Sequence, residues 1–260
     1  MVLKRLAPVV LAVGCKGPTV EPEHRPLPEP AAVSQAQDAD RDSPKPLGQF
    51  TITFYYVIGE EEVGAKPVAN ENSGDDKDFA AISDDAVTLY EADHCAPIAQ
   101  VSPEFATQLA IQGTGKLRDG RVLNIWGRCS CERTPCFRVT RNQWGTAGSG
   151  RPLQPFRTVA VDPKIVPLGS LLYVPLLEGR TMPGRAPWGG FVHDGCVVAD
   201  DTGGHIDGNR LDLFVARKGY YLGLSGTQSS HAWARHVPVY DGSKICERKG
   251  RKIARKTGAI

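Results

Sequence analysis

Short runs of β-branched and aromatic residues, separated by turn-forming residues, dominate the chain from residue 49 onward. The first run, residues 50–58, has the composition of a β-strand and ends at Gly59. Two strand-like arms flank Asp119-Gly120, which is the strongest short signal for a β-hairpin. Similar runs predict strands at 87–90, 137–140, 158–161, 170–174, 191–199, 210–216 and 234–240.

One segment has helical periodicity instead. Ser102 is a suitable N-cap, Pro103 suits the first helical position, and Gly113 is a suitable stop. Phe105 and Leu109 between them recur at helical spacing. With 28 glycines and 20 prolines in the chain, we expect a mainly β protein with one helix in its N-terminal part.

Composition and charge exclude several classes of protein. Hydrophobic residues make up 41% of the 260 residues, which is enough for a sizeable core and excludes a disordered polymer. The charge balance, 31 basic minus 29 acidic residues, gives only +2 and excludes a nucleic-acid binder that works by bulk charge. Residues 242–260 form a basic tail, which is either a solvated terminus or a contact for an anionic polymer.

The first residues predict export. Basic Lys4 and Arg5 precede an apolar run that is too short to span a membrane, and residues 1–15 end in a sequence resembling the lipobox of bacterial lipoproteins, with Cys15 as the acylated residue. Ala12 stands where leucine is usual, so an ordinary secretory signal is the alternative. Both versions predict a bacterial envelope protein, either secreted or held at the periplasmic face of a membrane through lipid on Cys15. Residues 16–47, rich in proline and glutamate, predict a disordered linker.

The cysteines fit an exported protein. Apart from Cys15 the chain has six, an even number, which predicts up to three disulfides in fifteen alternative pairings. A zinc site at Cys129, Cys131 and Cys136 is the alternative, although paired C-x2-C arms are missing. The candidates for disulfides are Cys95, Cys129, Cys131, Cys136, Cys196 and Cys246.

Three carboxylates stand at the ends of predicted strands. Asp162 precedes a proline and Asp201 precedes two glycines, so both also suit turns. Asp212 alternates with leucines in an apolar strand, where an acid needs either an ion-pair or hydrogen-bond partner or a functional role. If Asp201 and Asp212 lie on adjacent strands, repulsion and desolvation raise the pKa of one of them and provide a general acid.

The motifs around these acids resemble the three-aspartate (3D) domain of membrane-bound lytic transglycosylase A, its relatives and secreted cell-wall proteins. They are Ala160-Val161-Asp162-Pro163, Ile165-Val166-Pro167-Leu168-Gly169-Ser170, Asp201-Thr202-Gly203-Gly204 and Asp212-x-Phe214. The resemblance implies a six-stranded double-psi β-barrel at 151–241, after a β-rich subdomain at 48–150. His205 and Asp207 depart from the family, which usually has alanine and a basic residue there. Asp201-Thr202-Gly203 also occurs in aspartic proteases, which need two copies of it.

The resemblance further implies chemistry on peptidoglycan. Asp212 matches the catalytic acid/base that cleaves the MurNAc-GlcNAc β-1,4 bond, Asp201 matches its supporting carboxylate, and Asp162 completes the three. A single acid suffices in such an enzyme, because the muramyl 6-hydroxyl is the nucleophile. Small residues beside the acids would let the glycan approach closely; they are Thr202, Gly203 and Gly204.

Aromatic side chains complete the predicted site. Trp144 and Trp188 lie in glycine-rich loops and suit sugar rings, whereas Trp126 and Trp233 are expected in the core. His193 is expected to be a structural, hydrogen-bonded histidine.

The sequence therefore predicts a peptidoglycan lytic transglycosylase. The alternatives are a non-catalytic cell-wall polysaccharide-binding or wall-loosening protein of expansin type, and a structural lipoprotein that uses its basic tail. The expected partners are peptidoglycan glycan strands and, through Cys15, a membrane; nucleic acid is not expected. No nucleotide, haem or P-loop signature occurs, so we predict no cofactor and no metal.

Overall fold

A computed structural model describes residues 43–63, 85–130, 134–225 and 234–249. The predicted signal, the lipid site at Cys15 and Trp233 lie outside these residues. None of the helices that the structure describes is long and apolar enough to cross a membrane.

The described residues form twelve strands and three α-helices. In chain order the strands are β1 (Pro46–Tyr55), β2 (Ile58–Gly59), β3 (Val87–Tyr90), β4 (Pro97–Val101), β5 (Thr114–Lys116), β6 (Val122–Trp126), β7 (Cys136–Thr140), β8 (Thr158–Val161), β9 (Leu171–Tyr173), β10 (Cys196–Asp201), β11 (Arg210–Phe214) and β12 (Ala234–Asp241). The helices are α1 (Pro103–Gln112), α2 (Lys218–Ser225) and α3 (Ser243–Arg248).

Six strands close into a barrel in the order β1-β11-β8-β10-β9-β12, which confirms the predicted six-stranded barrel. Strand β1 runs parallel to β11, and β8 runs parallel to β10. Because side chains alternate along a strand, one face of each strand fills the barrel with apolar side chains. The interior contains Phe50, Ile52, Phe54, Val159, Val161, Val197, Ala199, Leu211 and Leu213.

The other face of the same strands is turned away from this core. There Thr53 of β1 is the register partner of Asp212 in β11, and Asp212 is also the partner of Ala160 in β8. Tyr55 and Phe214 lie on this face as well and belong to a second apolar cluster. The candidate site is thus built on the outer face of the barrel wall.

A smaller sheet, in the order β2-β5-β6-β7, contains the predicted hairpin around Asp119-Gly120, with β5 and β6 antiparallel. Helix α1 packs Phe105 and Leu109 into the same apolar cluster as Leu123 of β6. The helix begins and ends as predicted, since the Ser102 hydroxyl accepts the Phe105 N–H at 3.2 Å and Gly113 is left-handed, with φ 76°.

The boundaries inside the chain differ from the expectation. The sequence predicts that most of β1 belongs to a subdomain at 48–150 and its first residues to the linker at 16–47, but β1 pairs with β11 and β12. The barrel therefore begins at Pro46, because it needs β1 to close. In addition, the first residues of the predicted basic tail form α3, and β4 was not predicted at all.

Disulfides join Cys129 to Cys136 and Cys196 to Cys246, and Cys95 is also disulfide-bonded. Cys131 lies outside the described residues. Since Cys129 and Cys136 are bonded to each other, neither is a free thiolate ligand for the alternative zinc site. Within the described residues, no group of three or more histidine, cysteine or acidic side chains is arranged to hold a metal ion.

Candidate active site

Asp212 lies in the middle of β11, half-buried between β1 and β8. The hydroxyl of Thr53 donates a hydrogen bond of 2.7 Å to Asp212 Oδ1. Burial raises the pKa of Asp212 to about 6, and the negative charge of Asp201 acts in the same direction, whereas the Thr53 hydrogen bond and Arg210 oppose the rise. Asp212 can therefore hold a proton close to neutral pH.

Asp201 ends β10 and accepts three hydrogen bonds. The Tyr55 hydroxyl donates to Oδ2 at 2.7 Å, and the backbone N–H groups of Gly148 and Thr202 donate to Oδ1 at 2.7 and 2.9 Å. Burial raises the pKa of Asp201, while these donors oppose the rise because they stabilise the charged form. The pKa of Tyr55 is raised well above its ordinary value by burial and by Asp201, so Tyr55 stays a neutral donor.

The strands that carry Asp201 and Asp212 are not adjacent, so the two acids do not meet on neighbouring strands. Strand β8 lies between β10 and β11, and Ala160 of β8 is the register partner of both Asp201 and Asp212. The two carboxylates therefore lie on the same face of the barrel wall. Because the side chain of Ala160 is a single methyl group, no large side chain of β8 stands between them at this register position.

A β-bulge is needed to bring Asp201 to this face. In the pairing of β10 with β8, Ala199 is opposite Val159, but the next partner of Ala160 is Asp201 rather than Asp200. Skipping one residue reverses the alternation, so Asp201 joins Asp212 on the outer face. Asp200 turns elsewhere and, 6% exposed, forms an ion pair with Arg151 at 2.8 Å.

Asp162 lies apart from this pair in its contacts. Its Oδ1 accepts the Lys164 N–H and its Oδ2 accepts the Gly208 N–H, both at 2.9 Å. These bonds lower the pKa of Asp162 and keep it ionised. They also connect the turn after β8 to the loop between β10 and β11, so the contacts of Asp162 are those of a loop anchor.

The small residues after Asp201 differ in their surroundings. Thr202, Gly203 and Gly204 are all exposed. A Cβ on Gly203 would approach Ile206 Cγ1 to 2.8 Å, so this glycine is required by packing. A Cβ on Gly204 would meet nothing within 4 Å, and Gly204 therefore leaves open space beside the site.

The tryptophans are placed differently from the expectation. Trp144, expected to stack on glycan, is 9% exposed because its loop packs it into the apolar cluster of Tyr55 and Phe214. Trp188 is 36% exposed and meets Trp144 edge to face, with ring centroids 6.3 Å apart. Trp126, expected in the core, is 38% exposed beneath the guanidinium of Arg138.

His193 is structural, as expected. It is 1% exposed, its Nδ1 accepts the Gly195 N–H at 2.9 Å, and its Nε2 consequently donates to the Phe156 carbonyl at 2.7 Å.

Sequence reasoning missed Thr53, Tyr55 and Gly148. Thr53 and Tyr55 are the alternate, polar-tipped positions of a strand whose apolar positions fill the barrel, and this alternation was the available signal. Gly148 lies in a glycine-rich loop that gave no sign of which acid it contacts.

The arrangement separates two carboxyl groups by environment. Asp212, with one hydroxyl donor, is suited to carry and exchange a proton. Asp201, with three donors, is suited to remain an anion. Such a pair can supply acid/base catalysis by one residue and electrostatic stabilisation by the other.

Comparison with known proteins agrees with the sequence motifs. Residues 157–234 match the 3D domain, so the chain carries this domain. The cell wall-binding protein YocH of Bacillus subtilis (strain 168) is 40% identical over 62 residues, which are 24% of this chain and 16% of YocH. The chain thus aligns with only a small part of that relative.

Solved structures similar to this chain include three transglycosylases. Escherichia coli MltA with bound chitohexaose has a TM-score of 0.44 at 14% identity, over 75% of this chain and 71% of that one. A membrane-bound lytic murein transglycosylase from Agrobacterium tumefaciens has a TM-score of 0.40 at 15% identity, over 79% and 76%. LtgG of Burkholderia pseudomallei has a TM-score of 0.33 at 17% identity, over 73% and 71%.

Proposed function

We propose that this protein is a peptidoglycan lytic transglycosylase that cleaves the MurNAc-GlcNAc β-1,4 bond with Asp212 as its one acid/base. The observation that carries the proposal is the half-buried Asp212 carboxyl, whose pKa is raised to about 6 beside the hydrogen-bonded Asp201. The 3D domain and the name of the cell wall-binding relative support peptidoglycan as the substrate.

The proposed reaction has two proton transfers through one carboxyl group. Protonated Asp212 gives its proton to the glycosidic oxygen, the bond from that oxygen to C1 of the muramyl residue breaks, and positive charge develops on the sugar ring. The 6-hydroxyl of the same residue then bonds to C1 and gives its proton to Asp212. The products are a new GlcNAc end and a 1,6-anhydromuramyl end, and Asp212 is protonated again.

In this reaction Asp201 stabilises the positive charge on the sugar. Its donors Tyr55, Gly148 and Thr202 hold the carboxylate in place, so little reorganisation is needed when the charge develops. The open space at Gly204 would admit the glycan, and the exposed Trp188 would contact a sugar ring. Asp162 supports the site indirectly, through the loop that it anchors.

We also propose that the protein works in the bacterial envelope. Disulfides persist in oxidising compartments, and the described residues contain both Cys129–Cys136 and Cys196–Cys246. Acylation of Cys15 would hold the body at a membrane, where glycan strands are within reach.

The test is digestion of purified sacculi. The full-length protein should release soluble muropeptides. D212N should release roughly a hundred- to ten-thousandfold less, the range typical of a lost catalytic acid, and D201N should be slower than wild type. The matched control is D119N, since Asp119 is an exposed acid in the β5–β6 turn. Activity retained by D212N would refute the role of Asp212.

A non-catalytic cell-wall-binding protein is the second candidate, and the name of the relative YocH favours it. In that case the protein would sediment with sacculi and release nothing. W188A would then weaken sedimentation, because Trp188 is an exposed aromatic side chain near the site.

A further inference from the structure

The chain between β7 and β8 folds into a small hairpin at residues 145–153, here called the connecting hairpin. The Ala147 N–H donates to the Arg151 carbonyl at 2.8 Å, and the Leu153 N–H donates to the Gly145 carbonyl at 3.0 Å. A turn from Ala147 to Gly150 closes its tip, with the Gly150 N–H donating to the Ala147 carbonyl at 2.8 Å. The connecting hairpin therefore has a hydrogen-bonded base at Gly145 and Leu153 and a tip at the turn from Ala147 to Gly150.

The tip of the connecting hairpin contacts the end of β10. Gly148 donates to the Asp201 carboxylate, Ser149 donates its N–H to the Asp200 carbonyl at 2.8 Å, and Arg151 pairs with the Asp200 carboxylate. The tip thus holds both residues of the β-bulge that turns Asp201 to the site.

The base of the connecting hairpin is held by the small sheet. Asn124 of β6 accepts the Thr146 N–H on Oδ1 at 2.9 Å, and its Nδ2 donates to the Thr146 carbonyl at 3.1 Å and to the Thr114 hydroxyl at 2.9 Å. The Asn124 amide therefore binds both backbone groups of one residue, as a neighbouring strand would. A Cβ on Gly145, which has φ 95°, would approach Thr114 Cγ2 to 2.7 Å, so the hairpin lies directly against the sheet.

We infer that Asn124 is a positioning residue for the active site: by binding the backbone of Thr146 it sets where the Gly148 N–H stands relative to Asp201. Asn124 itself contacts neither acid in the described structure. Thr146 and Gly148 are only two residues apart, and Ala147 between them is fixed by its bond to Arg151. A displacement at Thr146 is therefore passed to Gly148. This inference rests on the proposed function, in which Asp201 acts as an anion beside Asp212.

Other titratable groups that face Asp201 also act on its pKa. Tyr55 faces it from β1, Asp212 faces it from β11 across Ala160, and Asp200 is its neighbour in β10. Asp200 is already paired with Arg151, so the hydrogen-bond donors remain the groups that favour the charged form of Asp201. A misplaced Gly148 removes one of three donors.

The test compares Asn124→Ala with the control Asn142→Ala. Asn142 Nδ2 donates to the Thr146 hydroxyl at 2.7 Å and so contacts the side chain of Thr146 instead of its backbone. In N124A the pKa of Asp201, measured by NMR of labelled carboxyl carbons, should rise, because a donor to the charged form is lost. The acidic limb of the pH–rate profile should move to higher pH, and kcat should fall roughly tenfold with little change in KM, as misplacement of a catalytic group predicts.

N142A should leave the pKa of Asp201 and the pH–rate profile as in wild type. The inference is overturned if N124A also leaves both unchanged, or if N142A shifts them equally. Should N124A fail to fold, Asn124→Gln keeps the amide but displaces it by one methylene and should move the pKa of Asp201 in the same direction. The NMR measurement needs no turnover, so an inactive wild-type protein would refute the proposed function while the coupling of Asn124 to Asp201 could still be measured.

Discussion

Asp212 performs both proton transfers of the proposed reaction, so its protonation sets the pH range of activity. Because its pKa is raised to about 6 by burial, the active protonated form is lost as the pH rises through that value. Asp201 must be ionised, and its pKa is also raised, so activity should fall again on the acidic side. We expect a bell-shaped profile of kcat/KM against pH whose basic limb lies near pH 6, since kcat/KM reports the pKa values of the free enzyme. A rate that keeps rising toward pH 8 would contradict this assignment.

The burial of Asp212 should also lower the stability of the fold at neutral pH. When the pKa of a carboxyl group is higher in the folded than in the unfolded state, the free energy of unfolding falls as the pH rises from the unfolded pKa to the folded pKa. D212N removes the charge but keeps an oxygen that can accept from Thr53, so at pH 7 it should raise the free energy of unfolding by about 1 to 3 kcal/mol. Near pH 3 the difference should vanish, since Asp212 is then protonated in both states.

Denaturant unfolding of D212N at the two pH values checks this expectation. D119N is the control, since Arg121 lowers the pKa of the exposed Asp119 and the substitution should not stabilise the protein. Equal stability of D212N and wild type at pH 7 would mean that Asp212 is better solvated than its position in β11 indicates.

The elements that the sequence predicted well are those with local signals. Helix α1 has its N-cap, first-turn proline and terminal glycine within one stretch of chain, and the β5–β6 hairpin has its turn residues between its arms. Strand β4 was missed because it begins at Pro97, a residue that argues against a strand, and because Ala99 and Gln100 interrupt its run of β-branched residues. The pairing of β1 with β11 was not predicted, since it joins Thr53 to Asp212 over 159 residues.

The candidate site likewise has features with a local signal in the sequence and features without one. The resemblance to the 3D domain pointed to Asp201 and Asp212, but the β-bulge at Asp200 that places Asp201 on their shared face depends on register, which has no local signal here. Burial of Trp144 was missed for a similar reason, because the cluster around it forms only when distant segments meet.

Helix α3 is tied to the start of β10 by the Cys196–Cys246 disulfide, which closes 50 residues of chain, whereas Cys129–Cys136 closes 7. On the chain-entropy account, replacing the first pair by alanine should lower the free energy of unfolding by about 4 kcal/mol, and replacing the second by about 2 to 3 kcal/mol. Denaturant unfolding of the two double variants measures the difference. A larger loss from the short loop would show that strain or packing outweighs chain entropy.

The closure of the barrel depends on β1, which is the first strand in chain order and lies far in sequence from the other barrel strands. This strand places Phe50, Ile52 and Phe54 in the barrel core and Thr53 and Tyr55 against the two acids. The 3D domain match at 157–234 is therefore not a complete folding unit, because without β1 the barrel has open edges at β11 and β12.

A fragment of residues 151–260 should accordingly fail to unfold cooperatively, while residues 44–260 should retain a cooperative transition. Thermal unfolding followed by circular dichroism distinguishes the two outcomes. A cooperative transition in the shorter fragment would show that the barrel closes without β1.

The most direct test of the account is mass spectrometry of the products released from sacculi in water enriched in heavy oxygen. If Asp212 is the one acid/base and the muramyl 6-hydroxyl is the nucleophile, the products have 1,6-anhydromuramyl ends and contain no heavy oxygen. Reducing muramyl ends that carry the label would show that water is the nucleophile and would contradict the single-acid mechanism. Sedimentation with sacculi without any released product would contradict the enzyme and leave a wall-binding protein.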